Sequence, residues 1–106
     1  MIRELDEKSF KECVEDAPGR EIVEFYSSSA KDSNEALETA AAETAGQTDF
    51  FRVDVDKLPL IANKYVKGTT PHYVLFEDGL AISNANGKLD AVQLEKMSTV
   101  GEYGAD

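Results

Sequence analysis

A chain of 106 residues has room for one domain with a single core. With 21 acidic residues against 11 basic ones and a net charge of -10, it carries no excess of cations for phosphate backbones or anionic lipid, so nucleic acid and membrane surfaces are excluded as expected partners. No run approaches the roughly 18 apolar residues of a membrane helix, and the opening "MIRELDEKSF" has no apolar signal core, so a cytoplasmic protein is expected. The single cysteine, Cys13, cannot close an internal disulfide.

A short opening strand is expected at Ile2 to Leu5. "LDEKSFKECVEDAPG" then places Phe10, Cys13, Val14 and Ala17 at spacings of three and four, behind a capping Asp6 and ahead of Pro18-Gly19, which predicts a helix. "EIVEFYS" is rich in branched and aromatic residues and reads as a strand, after which Ser28 or Ser29 can cap the next helix. That helix, over roughly 30 to 45, puts Leu37, Ala40, Ala41, Thr44 and Ala45 on one face and ends at Gly46. "DFFRVDV" is a second, buried strand, and "LPLIANKYV" a short helix with Pro59 in its first turn. "HYVLFEDGLAISNA" is two strands around Asp78-Gly79, a tight hairpin. "LDAVQLEKM" carries Asp90 and Gln93 at capping-box spacing with Leu94 and Met97 on one face, and the tail "STVGEYGAD", about 99–106, is expected to fray. The order predicts a single α/β domain over residues 1–106, with a central mixed sheet of four or five strands and helices on both faces.

That order, together with "IVEFYSSSAKDS", "VDVDKLPLIANKYVKGTTPHYVLFEDG" and "NANGKLDAVQL", resembles the thioredoxin family along nearly the whole chain. In the family, a strand of this type leads into a Cys-x-x-Cys pair at a helix N-terminus. Phe25 and Tyr26 match the aromatic pair of that strand; counting forward, Ser29 falls on the family's tryptophan, Ala30 on its first cysteine and Ser33 on its second. Thr70-Pro71 matches the cis-proline signature and Gly87 the glycine lining the groove. The resemblance therefore implies the thioredoxin fold, a cis bond before Pro71, and a peptide groove formed by Ser29, Ala30, Lys31, Asp32, Thr69, Thr70, Pro71, Asn86 and Gly87. It implies no cofactor and no metal.

Disulfide exchange needs a thiolate, which a helix N-terminus stabilises through its dipole and free amides. Ala30 offers a methyl group there, and a serine hydroxyl at 33 is a far weaker nucleophile that cannot cycle through a disulfide. Glu24 matches the buried acid beneath the family's cysteines. Without a thiol it has nothing to serve, and in an apolar setting it would be a stability liability.

The remaining polar residues read blandly. Cys13, at helical spacing with Phe10 and Val14, is expected to be buried and inert. His72, the only histidine, belongs at a strand start beside the groove, since a metal site needs several converging ligands. The serines at 27, 28, 29 and 33 lack a nucleophile elbow. Asp54 and Asp56 share one side of a strand end, where solvated acids are the rule. Two principal functional readings follow, ahead of a third, a vestigial structural domain with no retained partner. The first is a monomeric, redox-inactive thioredoxin-like protein that binds a peptide or protein at the Thr70-Pro71 groove; the alternative is a thiol–disulfide oxidoreductase whose active-site cysteines were substituted.

Overall fold

In the computed structural model, residues 2–28, 35–44 and 47–100 are described. The elements run β1 (Arg3–Glu4), α1 (Glu7–Phe10, continued by a π turn over Lys11–Glu15), β2 (Arg20–Tyr26), α2 (Glu35–Glu43), β3 (Thr48–Asp54), α3 (Pro59–Tyr65), β4 (His72–Glu77), β5 (Leu80–Asn86) and α4 (Ala91–Val100). The five strands form one mixed sheet in the order β1-β3-β2-β4-β5. β3 is parallel to both β1 and β2, whereas β4 is antiparallel to β2 and β5. The expected α/β architecture is therefore present, with five strands.

Period-two alternation divides the core. Ile22, Phe50, Tyr73 and Leu75 turn to one face of the sheet, where Leu37 and Ala40 of α2 and Leu94 and Met97 of α4 cover them. Val23, Phe25, Val53, Val74 and Phe76 turn to the other face, under Phe10 and Val14 of α1 and its π turn and against Ile61 and Tyr65 of α3. Tyr65 and Phe76 meet edge-on with ring centroids 5.0 Å apart, a geometry that adds to plain area burial.

Local chemistry sets the boundaries. Asp6 accepts from the Ser9 amide at 2.8 Å while the Ser9 hydroxyl accepts from the Asp6 amide at 2.8 Å, a reciprocal cap. That amide bond holds the Asp6 carboxyl below its ordinary range. Asp90 and Gln93 form the same reciprocal pair ahead of α4. Asp78 and Gly79 both have positive φ, 51° and 86°, as a two-residue hairpin turn between twisted strands requires. The turn is tied to the chain before β2, since the Asp78 amide donates to the Gly19 carbonyl and the Gly19 amide to Asp78 Oδ1.

Three expectations need correction. The first helix is not α-helical throughout: the Asp16 amide donates to the Lys11 carbonyl five residues back. The wider turn keeps Phe10 and Val14 buried but brings Cys13 to the edge of the covered face, half-buried, with Arg3 Nη1 3.4 Å from its sulfur. Residues 98–100, expected in the tail, belong instead to α4, which runs through Val100, and Ser98 is buried with its hydroxyl on the Glu95 carbonyl. Ser28 gives its amide and hydroxyl to Asp56. The expected helix start near 30, the alternative cap Ser29, and Ala45 and Gly46 lie outside the described residues.

Candidate functional site

Register across the sheet places Glu4 beside Arg52, Arg52 beside Glu24, and Glu24 beside Tyr73. Because neighbours in register share a face, these four side chains form one polar row through the middle of the sheet. Arg52 Nε donates to Glu24 Oε1 at 2.8 Å, and Tyr73 Oη donates to Glu24 Oε2 at 2.7 Å. Lys88, on the segment before α4, brings Nζ to 3.9 Å from Oε2. The Arg52 guanidinium lies 3.8 Å from the centroid of the Tyr26 ring, and Tyr26 donates its hydroxyl to Glu4 Oε2 at 2.5 Å. Burial, reinforced by that bond, pushes the Tyr26 phenol up from its ordinary value.

Glu24 is thus fully buried but not in an apolar setting. The liability expected of a lone carboxylate is offset by a cation and a phenol donor, both supplied by the register. Sequence reasoning missed Arg52 and Tyr73 as its partners. They could have been found by aligning "DFFRVDV" and "HYVLFE" on "EIVEFYS" once β2 was taken as the central strand.

At the carboxyl end of β5, a second polar group holds the groove segment in place. The Thr70–Pro71 peptide bond is cis. The Gly87 amide donates to the Pro71 carbonyl at 2.9 Å, which extends the β4–β5 pairing beyond His72 and Asn86. Asn86 Nδ2 donates to the Lys67 carbonyl at 2.8 Å, so its Oδ1 is the acceptor for His72 Nδ1 at 2.7 Å. This assigns a hydrogen to Nδ1, while buried Nε2 has no partner among the described residues. Gly68, with φ 105°, packs so closely on Asn86 that a Cβ would lie 2.2 Å from Nδ2. One side chain therefore fastens the loop before Pro71, the first residue of β4 and the end of β5.

Of the site residues expected from the sequence, Gly87 is hydrogen-bonded to Pro71, Asn86 is bonded to Lys67 and to buried His72, and Thr69 and Thr70 lie in the chain between Lys67 and Pro71. Ser29, Ala30, Lys31, Asp32 and Ser33 lie outside the described residues. Asp54 and Asp56 do not behave as paired solvated acids. Asp54 is buried and accepts the Asp56 amide, with Oδ2 unpartnered among the described residues, while exposed Asp56 accepts from the hydroxyls of Ser27 and Ser28.

A further buried acid, Glu21, was also missed. It stands in phase with Val23 and Phe25, 1% exposed, with Oε1 unpartnered among the described residues. Burial, with Asp49 and Asp78 nearby, pushes its carboxyl up to about 8. Strand phase alone would have placed it on an inner face.

The comparisons with known proteins agree with this architecture. The chain is 27% identical over 100 residues to a thioredoxin of Chlamydia trachomatis serovar D, covering 92% of this chain and 95% of the relative. It is 28% identical over 89 residues to a thioredoxin-like protein of Synechocystis, covering 81% and 85%. The crystal structure of chloroplastic thioredoxin z superposes with a TM-score of 0.78 at 19% identity over 92% of this chain and 90% of that one, a likeness of fold. A thioredoxin family model matches residues 1–99, and the chain, with a five-stranded mixed sheet flanked by helices, belongs to the thioredoxin family.

Proposed function

We propose that this chain is a non-catalytic binding module that takes an extended peptide at Thr70–Pro71, beside Asn86–Gly87. The chain has one cysteine, Cys13, which lies in the π turn after α1, so no Cys-x-x-Cys pair exists for dithiol exchange. The observation that carries the binding reading is the pair of hydrogen bonds by which Asn86 donates to the Lys67 carbonyl and accepts from His72. A wall fixed in this way loses little entropy when a peptide settles on it, which favours affinity at a small contact. In the family, the backbone before the proline pairs with the peptide as an added strand.

The test is a nitrogen-15 amide titration with a thiol-free peptide of alternating threonine and valine. Shifts are expected at Thr69, Thr70 and Gly87, and Asn86→Ala is expected to weaken binding by about tenfold, the equivalent of about 1.4 kcal/mol. Absence of shifts at these three amides would refute the groove.

A further inference from the structure

The sheet has two edges, and they differ. β1 at one edge is two residues long, whereas β5 at the other is seven, with the sequence LAISNAN. Exposed edges in soluble proteins are normally protected by Lys, Glu, Pro or a strong bulge, because their free amides and carbonyls template further pairing. β5 has no charged residue and no proline, and it exposes Leu80 at 70% and Ile82 at 42%. Its one irregularity lies opposite Leu75 and Phe76, where the register passes from Ser83 to Ala81 and skips Ile82.

Beside this edge is a hollow of about 340 Å³, with Tyr65, Val74 and Ile82 as apolar lining and Lys64 and Lys67 as its charges. Among the described residues no carboxylate lines it, although the chain as a whole carries a charge of -10 and Glu15 accepts from Tyr65 at 3.0 Å. Lys64 is 65% exposed and 3.5 Å from Glu15, an ion pair too long and too wet to hold it.

We propose that the outer edge of β5 accepts an added strand from another protein, an extended segment alternating apolar and acidic residues, whose carboxylates meet Lys64 and Lys67. This surface adjoins the Thr70–Pro71 groove at Asn86, and the two are told apart by their reporting amides. The net charge of the chain opposes an acidic partner only at long range, and at physiological salt such repulsion is screened beyond about 8 Å, so the lysines at contact decide. A second copy of the chain fits less well. Antiparallel pairing of two β5 edges keeps equivalent faces on the same side of the joined sheet and brings the lysines of both hollows together.

The probe is a nine-residue peptide of alternating valine and glutamate, titrated at 0.15 M salt and followed by amide shifts, with a valine–lysine peptide as control. Shifts are expected in residues 80–86 and at Lys64 and Lys67, and the lysine peptide is expected to bind at least tenfold more weakly. Lys64→Gln with Lys67→Gln is expected to weaken the glutamate peptide about tenfold, and Ile82→Lys to abolish its binding with an otherwise unchanged amide spectrum. Three results would each overturn the proposal: no binding of the glutamate peptide, equal or tighter binding of the lysine peptide, or shifts confined to Thr69, Thr70 and Gly87. Concentration-dependent dimerisation through residues 80–86 in sedimentation would also overturn it, in favour of a second copy. Failure here leaves the groove titration standing, because the two sites share no reporting amide.

Discussion

Arg52→Ala is expected to destabilise the protein by about 3–5 kcal/mol, the typical cost of stripping the partner from a buried charge. The guanidinium is the only cation within hydrogen-bonding distance of Glu24 among the described residues, and Lys88 at 3.9 Å is too far to replace it. It also stacks over Tyr26, so the substitution removes an ion pair and a cation–π contact together. For a domain of this size the loss corresponds to a melting temperature at least about 12 °C lower. Arg52→Met combined with Glu24→Gln is expected to recover more than half of it. A glutamine still accepts from Tyr73, and two neutral side chains leave no charge uncompensated. Equilibrium denaturation of the two single variants and the double variant measures the coupling directly. Simple additivity would show that the pair does not act as a unit.

Glu21→Gln acts in the opposite direction and is expected to stabilise. The folded protein holds the Glu21 carboxyl up at about 8, against an ordinary value of 4.5, so it binds that proton more tightly than the unfolded chain does. Relative to the glutamine variant, the native protein is therefore most stable below pH 4.5. It loses stability by up to about 1.4 kcal/mol per pH unit as pH rises towards 8, and levels off above that. At pH 7 the variant is expected to be more stable by on the order of 3 kcal/mol, with little difference at pH 4. Urea denaturation at pH 4, 7 and 9 checks this, and a difference that does not change with pH would remove Glu21 as its source. Among the described residues the acid has no cation to offset it: its Oε1 is unpartnered there, and the charges that act on it, Asp49 and Asp78, are both negative.

These two glutamates show where the sequence was legible. Element order and most boundaries follow from local signals that act within a few residues. The reciprocal caps at Asp6 and Asp90, the Asp78-Gly79 turn and Pro59 at the start of α3 all sit where side-chain chemistry alone predicts. Burial of charge does not follow from such signals, because it depends on which strands become neighbours. Glu24 is held by Arg52 from β3 and Tyr73 from β4, 28 and 49 residues away in the chain. Glu21 is buried because it shares the phase of Val23 and Phe25 on a central strand. The π turn at Lys11–Glu15 was illegible for another reason: "KECVE" contains no residue that distinguishes a five-residue hydrogen-bond step from a four-residue one. In the groove, Thr70, Pro71 and Gly87 could be picked out by resemblance, but the role of Asn86 as the tie between Lys67 and His72 required the structure.

The central claim is a thioredoxin fold without dithiol chemistry, and the most direct measurement is thiol-driven reduction of insulin disulfides by dithiothreitol, with Cys13 alkylated beforehand. The expected rate is that of a control without protein, since the chain then contains no free thiol. Acceleration above that control, proportional to protein concentration, would contradict the claim and require a catalytic group that the one-cysteine sequence does not provide.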